Sequence, residues 1–201
     1  HAVLSAAQLQ AIADEVKDKN DPRLLQLSLV DLRQRMRPAI SPEAVGLFIS
    51  SVESAHSVPS NGDLWDLGGD IKQAIVREME RGTPFIQWPA MMRLVYLTRL
   101  TTRLTPKGVA GVLRQGDITR PPASIVSNIG RLDFQKTRGD FTLDKLYFLM
   151  AVSGSGYFSS SINTFDGRLF INFTYASPSV GAERAQRVAD KTCYILRESL
   201  G

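Results

Sequence analysis

Residues 3–18 place Leu9, Ile12, Ala13 and Val16 at helical spacing and predict an amphipathic helix. Ser5-Ala-Ala-Gln8 has the form of a capping box, with Leu4 and Leu9 as its staple. Asn20-Asp21-Pro22 stops the pattern. Leu25, Leu27 and Leu29 then alternate with Gln26 and Ser28, which predicts a strand over 24–32. Pro38 and Pro42 mark a loop, and the apolar run at 45–53 predicts a second strand. Leu64, Leu67, Ile71, Ile75 and Met79 form the stripe of a long helix through Glu80, with Asp63 as its cap and Gly82 just past its end. Residues 89–104 predict another helix, with Pro89 in its first turn, and Thr105-Pro106 opens a shorter one.

The last third changes character. Residues 123–129 read as a strand, and the nearly continuous apolar run at 143–152 reads as a buried one. Residues 158–165 and 168–175 alternate around Asp166-Gly167, a strong hairpin signal. Ser177-Pro178-Ser179 breaks the sheet. A final helix over 181–198 puts Ala185, Val188, Ala189, Thr192 and Leu196 on one face. The order α, β, β, α, α, α, β, β, β, β, α predicts an α/β fold: a two-layer sandwich with a mixed β-sheet and helices packed on it. Neither a repeat nor a low-complexity linker marks a boundary, so residues 1–201 are expected to form a single domain.

Composition narrows the chemistry. The chain is 43% apolar and 22% charged, with 24 Lys+Arg against 20 Asp+Glu, which excludes disorder throughout. Arg or Asp interrupts every apolar stretch well before the ~18 residues a membrane span needs. The one cysteine, Cys193, permits no intrachain disulfide or multi-thiolate metal site, and a reducing, cytoplasmic location is expected. Cys193 reads as a small buried hydrophobe, with no histidine near it in sequence. There are only two histidines, His1 and His56, so a histidine-based site has little room. His56 sits in a Ser-rich, turn-like stretch and is expected at the surface. Opening on histidine rather than methionine, the chain is expected to be a processed product or part of a longer protein. Phosphate loops, GxGxxG, HExxH and GxSxG do not occur in the sequence.

Three stretches carry a resemblance. They are Val30-Asp31-Leu32-Arg33-Gln34-Arg35 with Pro38 and Val45-Gly46-Leu47-Phe48; Ser127-Asn128-Ile129-Gly130-Arg131-Leu132-Asp133; and Asn163-Thr164-Phe165-Asp166-Gly167-Arg168-Leu169 with Phe173-Thr174-Tyr175 and the last helix. In this order they resemble the C-terminal lobe of the chloramphenicol acetyltransferase-like acyltransferases. That superfamily includes alcohol O-acyltransferases, polyketide-associated acyltransferases and peptide-synthetase condensation domains. The resemblance implies a two-lobed enzyme with a tunnel between lobes. The donor is a thioester of coenzyme A or of the phosphopantetheine of an acyl carrier protein, and the acceptor an alcohol or amine. The family's base is the second histidine of His-His-x-x-x-Asp-Gly in the N-terminal lobe. This sequence has no such motif, so the lobe is expected to be inactive alone, with the missing N-terminal lobe as its partner.

Five residues are singled out. Asp31 and Arg33, two apart on a strand, share a face; they brace the active site or form a strand-end ion pair. Ser127 and Asn128 end a strand. Either they face the tunnel and hydrogen-bond an acyl carbonyl or oxyanion, or Asn128 closes its own turn with Gly130 supplying the backbone angle. Ser153, Ser155 and Ser159–Ser161 line the same cavity or form the polar face of a strand. Residues 81–138 carry ten Lys+Arg and two Asp. That basic stretch suits coenzyme A phosphates or an acidic carrier protein, or is a set of solvated helix faces. The apolar stretch 85–104 is core, or else faces the other lobe, where exposure would drive self-association. The alternatives to an acyltransferase lobe are a non-catalytic interaction module of the same fold and, less favoured, a basic nucleic-acid-binding domain, which lacks the aromatic pattern for stacking.

Overall fold

The computed structural model describes residues 1–16, 23–59, 62–86, 93, 96–97, 122–150 and 158–200. In order come α1 (Ala2–Glu15), β1 (Arg23–Asp31), a 3₁₀ turn (Arg33–Arg35), β2 (Ile49–Ser57), α2 (Leu64–Arg81) and β3 (Ser124–Leu132). The short pair β4 (Thr137–Arg138) and β5 (Phe141–Thr142) follows, then β6 (Phe158–Phe165), β7 (Arg168–Tyr175) and α3 (Ala182–Leu200). The main sheet runs β2-β1-β3-β6-β7. Its middle three strands are parallel, and β2 and β7 are antiparallel to their neighbours. The helices cover one face, where Leu9, Leu67, Ile71 and Leu196 make one cluster and Ile12, Phe158, Val180 and Val188 another. This is the mixed α/β sandwich expected from the element order.

Local signals explain two elements. Asp63 caps α2 by accepting the amides of Trp65 and Asp66 at 2.7 and 2.9 Å, and Gly82 ends it in the left-handed region at φ 75°. Asp166 and Gly167 take φ of 50° and 72°, the two left-handed positions of a tight hairpin turn. The predicted helices over 89–104 and after Pro106 lie outside the described residues, although 93 and 96–97 are helical.

Several expectations are corrected. Ser5 and Gln8 are no capping box: the N-cap is His1, without a side-chain cap bond. Both residues are buried against the sheet, where Gln8 donates to Ser124 Oγ at 2.9 Å and Gln26 donates to Ser5 Oγ at 3.3 Å. Gln26 and Ser28 therefore face the helices, while Leu25, Leu27 and Leu29 face away from them and are half-buried. The strand expected at 45–53 starts at Ile49, because antiparallel pairing with β1 begins at Asp31↔Ile49 and continues to Arg23↔Ser57. Val45 and Leu47 lie in the exposed loop before it. His56 is neither in a turn nor at the surface. It is buried in β2 with Nε2 2.7 Å from Ser54 Oγ. Of the run at 143–152, residues 143–150 are not a buried strand; they join no ladder, Leu149 is 74% exposed, and 151–152 lie outside the described residues. Arg33 does not share a strand with Asp31, since β1 ends at Asp31 and Arg33 opens the 3₁₀ turn. Cys193 is half-buried on α3, and burial pushes its thiol pKa up.

Candidate functional site

β1, β3 and β6 run in one direction, so their carboxyl ends share an edge of the sheet. Asp31, Arg33, Ser127, Asn128 and Gly130 all lie at or near that edge. The β1–β3 ladder pairs Gln26↔Ser124, Leu27↔Ile125 and Ser28↔Val126, and stops there. Beyond it β1 stays paired to β2 as far as Asp31, and β3 stays with β6 as far as Leu132. Hydrogen bonding between β1 and β3 therefore ends there, which leaves a notch in the sheet's ladder, the crevice, between Leu29–Asp31 and Ser127–Gly130.

The bulge in β3 accounts for the split. Its register with β6 shifts between Asn128 and Arg131. Gly130 stands there at φ 79°, and Asn128 Oδ1 accepts the Gly130 amide at 2.8 Å. A bulge bends its strand and strengthens the twist, which turns β3 away from β1. The Asn128 carbonyl thus closes its own turn, and the Nδ2 donors are left over. Ser127, just inside the crevice, is half-buried, and its hydroxyl has no hydrogen-bond partner among the described residues.

On the other side Arg33 bonds back to Asp31. Its amide donates to Asp31 Oδ1 at 2.9 Å and its Nη1 to Oδ2 at 3.1 Å. Its Nη2 donates to the Ala44 carbonyl at 3.4 Å, and the guanidinium lies 4.9 Å from the Phe48 ring centre. This arrangement ties the end of β1 to the loop that leads into β2. No hydrogen bond or ion pair joins the Asp31–Arg33 pair to Ser127 or Asn128 among the described residues; they stand on opposite banks.

The face away from the helices is polar where β3, β6 and β7 meet. Ser127, Ser161 and Asn172 lie in one row. An extended strap, residues 144–150, crosses β6 and β7 and is held by side chains instead of a ladder. Asn163 Nδ2 donates to Leu146 O at 3.0 Å, Asn172 Nδ2 to Phe148 O at 3.1 Å, and Met150 N to Ser161 Oγ at 3.0 Å. Arg168 grips its start through the Asp144 carbonyl and carboxylate. Sequence reasoning had Asn163 only as part of a motif stretch, with no role, and missed Asn172. Their signal was a lone amide in the interior of each strand. Ser159 bonds the Thr174 carbonyl at 3.4 Å and Ser160 faces the helices, so the serine run does not line a single cavity. Ser153 and Ser155 lie outside the described residues.

His56 lies at the opposite end of the sheet, opposite Leu24. Burial lowers its pKa, with Asp70 opposing that shift and Arg77 adding to it. Most of the basic stretch lies outside the described residues. Of its described members, Arg81 pairs with Glu78, Arg131 with Asp133 and Lys136 with Asp166. Among the described residues no helix is long and apolar enough to cross a membrane.

A split mixed sheet with helices on one face defines a class, the C-terminal lobe of the chloramphenicol acetyltransferase-like acyltransferase and condensation superfamily. The family model for the phthiocerol/phthiodiolone dimycocerosyl transferase C-terminus matches residues 1–174, and the chain belongs to that family. Solved structures share the fold. Polyketide synthase associated protein 5 from Mycobacterium tuberculosis is 14% identical with a TM-score of 0.59, over 98% of this chain and 45% of that one. The epimerization domain from the third module of tyrocidine synthetase B is 14% identical with a TM-score of 0.52, over 94% and 40%. The TRI3 trichothecene 15-O-acetyltransferase from Fusarium sporotrichioides is also 14% identical with a TM-score of 0.52, over 95% and 40%. The chain spans less than half the length of each. No curated protein matches it in sequence.

Proposed function

We propose that this chain is the C-terminal lobe of a two-lobed acyltransferase that moves an acyl group from a thioester to a hydroxyl, or secondarily to an amine. The observation that carries the reading is the parting of β1 and β3 after Ser28↔Val126, with the unpartnered Ser127 hydroxyl just beyond it. Leu27, Leu29 and Ile125 on the same face give an acyl chain an apolar wall. The likeness to an O-acetyltransferase favours oxygen as the acceptor.

In this reading a base on the N-terminal lobe takes the acceptor proton. The oxygen attacks the thioester carbonyl carbon, and the carbonyl electrons move onto its oxygen. Ser127 Oγ donates to that oxyanion, while Asn128 and Gly130 close the turn that holds Ser127 in place. Collapse of the intermediate breaks the carbon–sulfur bond and releases the thiolate. Asp31 and Arg33 take no part in bond making; they fix the opposite bank. Exposed apolar side chains (Val45, Leu47, Ile129, Phe134, Phe141, Leu149) supply a surface for the other lobe, and left uncovered they favour self-association. Basic residues of 81–138 receive the phosphates of coenzyme A or an acidic carrier protein. The lone thiol suits the cytoplasm.

A second reading, a non-catalytic interaction module of the same fold, draws on the two widely separated histidines. Photolabelling decides between them. An acyl-pantetheine with a diazirine at the acyl terminus is expected to label Leu29–Asp31 and Ile125–Gly130. Labelling elsewhere, or none, removes the tunnel assignment.

A further inference from the structure

A cleft of about 390 Å³ lies at the other end of the molecule, on the helix-covered face. Its walls are Ile12 of α1 and Val16 just past its end, Val188 of α3, Ala123 ahead of β3, Phe158 at the start of β6, and Val180. That volume is in the range of small-molecule sites, and these walls are apolar. The remaining lining is Ser179 and a charged rim of Glu15 and Arg184.

The rim supplies a donor for the ligand's head. Arg187 takes both oxygens of Glu15, Nε to Oε1 and Nη2 to Oε2, each at 2.8 Å. Arg184 reaches the same carboxylate only at 3.8 Å and makes no hydrogen bond among the described residues. Arg187 is thus engaged by Glu15 and also feels Glu183 on its own helix. The next pair along the helices is Lys191 and Asp14 at 3.4 Å. Arg184 is the guanidinium that lines the mouth and keeps hydrogen-bond donors to offer.

We propose that this cleft binds a monoanionic alkyl carboxylate, its chain on Phe158, Ile12 and Val188 and its head on Arg184. The site is separate from the crevice at Ser127, because the cleft opens by the amino ends of β3 and β6. It binds its ligand reversibly, with no bond made or broken.

The test is calorimetric titration of the chain with decanoate and with 1-decanol. Wild-type protein is expected to bind one decanoate per chain. Arg184→Glu, at an exposed position, is expected to weaken decanoate by about tenfold or more and to leave decanol unchanged. Ala123→Phe fills the cleft and is expected to abolish binding of both, with helix content by circular dichroism confirming that the variant folds. No saturation up to ~1 mM decanoate in wild-type protein overturns the site. So does binding that survives Ala123→Phe, and equal effects of Arg184→Glu on acid and alcohol overturn the carboxylate head.

Discussion

Asn128 Oδ1 accepts the amide of Gly130 at 2.8 Å, and this bond sits at the bulge where β3 leaves β1. One short turn thereby sets both the split in the sheet and the placement of Ser127.

Gly130→Ala is expected to destabilise the fold by about 1–2 kcal/mol, the cost of a side chain in the left-handed region. A Cβ there would meet nothing within 4 Å, so strain and not a clash is the cause. Asn128→Ala is expected to cost about 1 kcal/mol, and Asn128→Asp, which keeps the acceptor, less. Urea denaturation measures all three.

His56 makes stability depend on pH. Burial holds its folded pKa below the ordinary 6.5. As pH falls below 6.5 the unfolded chain takes up the proton first, so this contribution is complete above 6.5 and is lost as pH falls through the folded value. Thermal melts across that window are expected to show the loss. His56→Gln is expected to flatten the slope, and an unchanged slope would assign the dependence to other groups.

The polar seam under α1 is expected to show coupling. Gln8→Ala leaves Ser124 buried without its donor, a cost of about 1–3 kcal/mol. In a double-mutant cycle with Ser124→Ala, the pair is expected to cost less than the sum of the singles. Additive losses would mean that the 2.9 Å bond contributes nothing specific.

Ser127→Ala bears on the chemistry. In the assembled enzyme kcat is expected to fall by roughly 10²–10³ with KM little changed, as for a lost oxyanion donor. Stability is expected to hold, because the hydroxyl has no partner among the described residues. A rise in KM alone would make Ser127 a binding residue.

What the sequence disclosed divides by range. The Asp63 cap, Gly82 and the Asp166-Gly167 turn were legible because their determinants lie within a few residues. Ser5 and Gln8 misled because their partners, Gln26 and Ser124, are 21 and 116 residues away. The start of β2 was misplaced because pairing with β1, and not the apolar run at 45–48, sets it. The strap read as a strand because its carbonyls bond Asn163 and Asn172, a partnership that periodicity does not encode. At the candidate site the residues were legible as a motif. The crevice was not, since it depends on where a ladder between distant strands ends.

The central claim is that this lobe serves acyl transfer with a base supplied from elsewhere. Thiol release from acyl-coenzyme A and acyl-carrier-protein donors with a simple alcohol acceptor tests it most directly. The assay compares the chain alone with the chain joined to an N-terminal lobe bearing His-His-x-x-x-Asp-Gly. Turnover only in the joined form is predicted. Turnover by the 201 residues alone would contradict the account and make His56 the residue to replace.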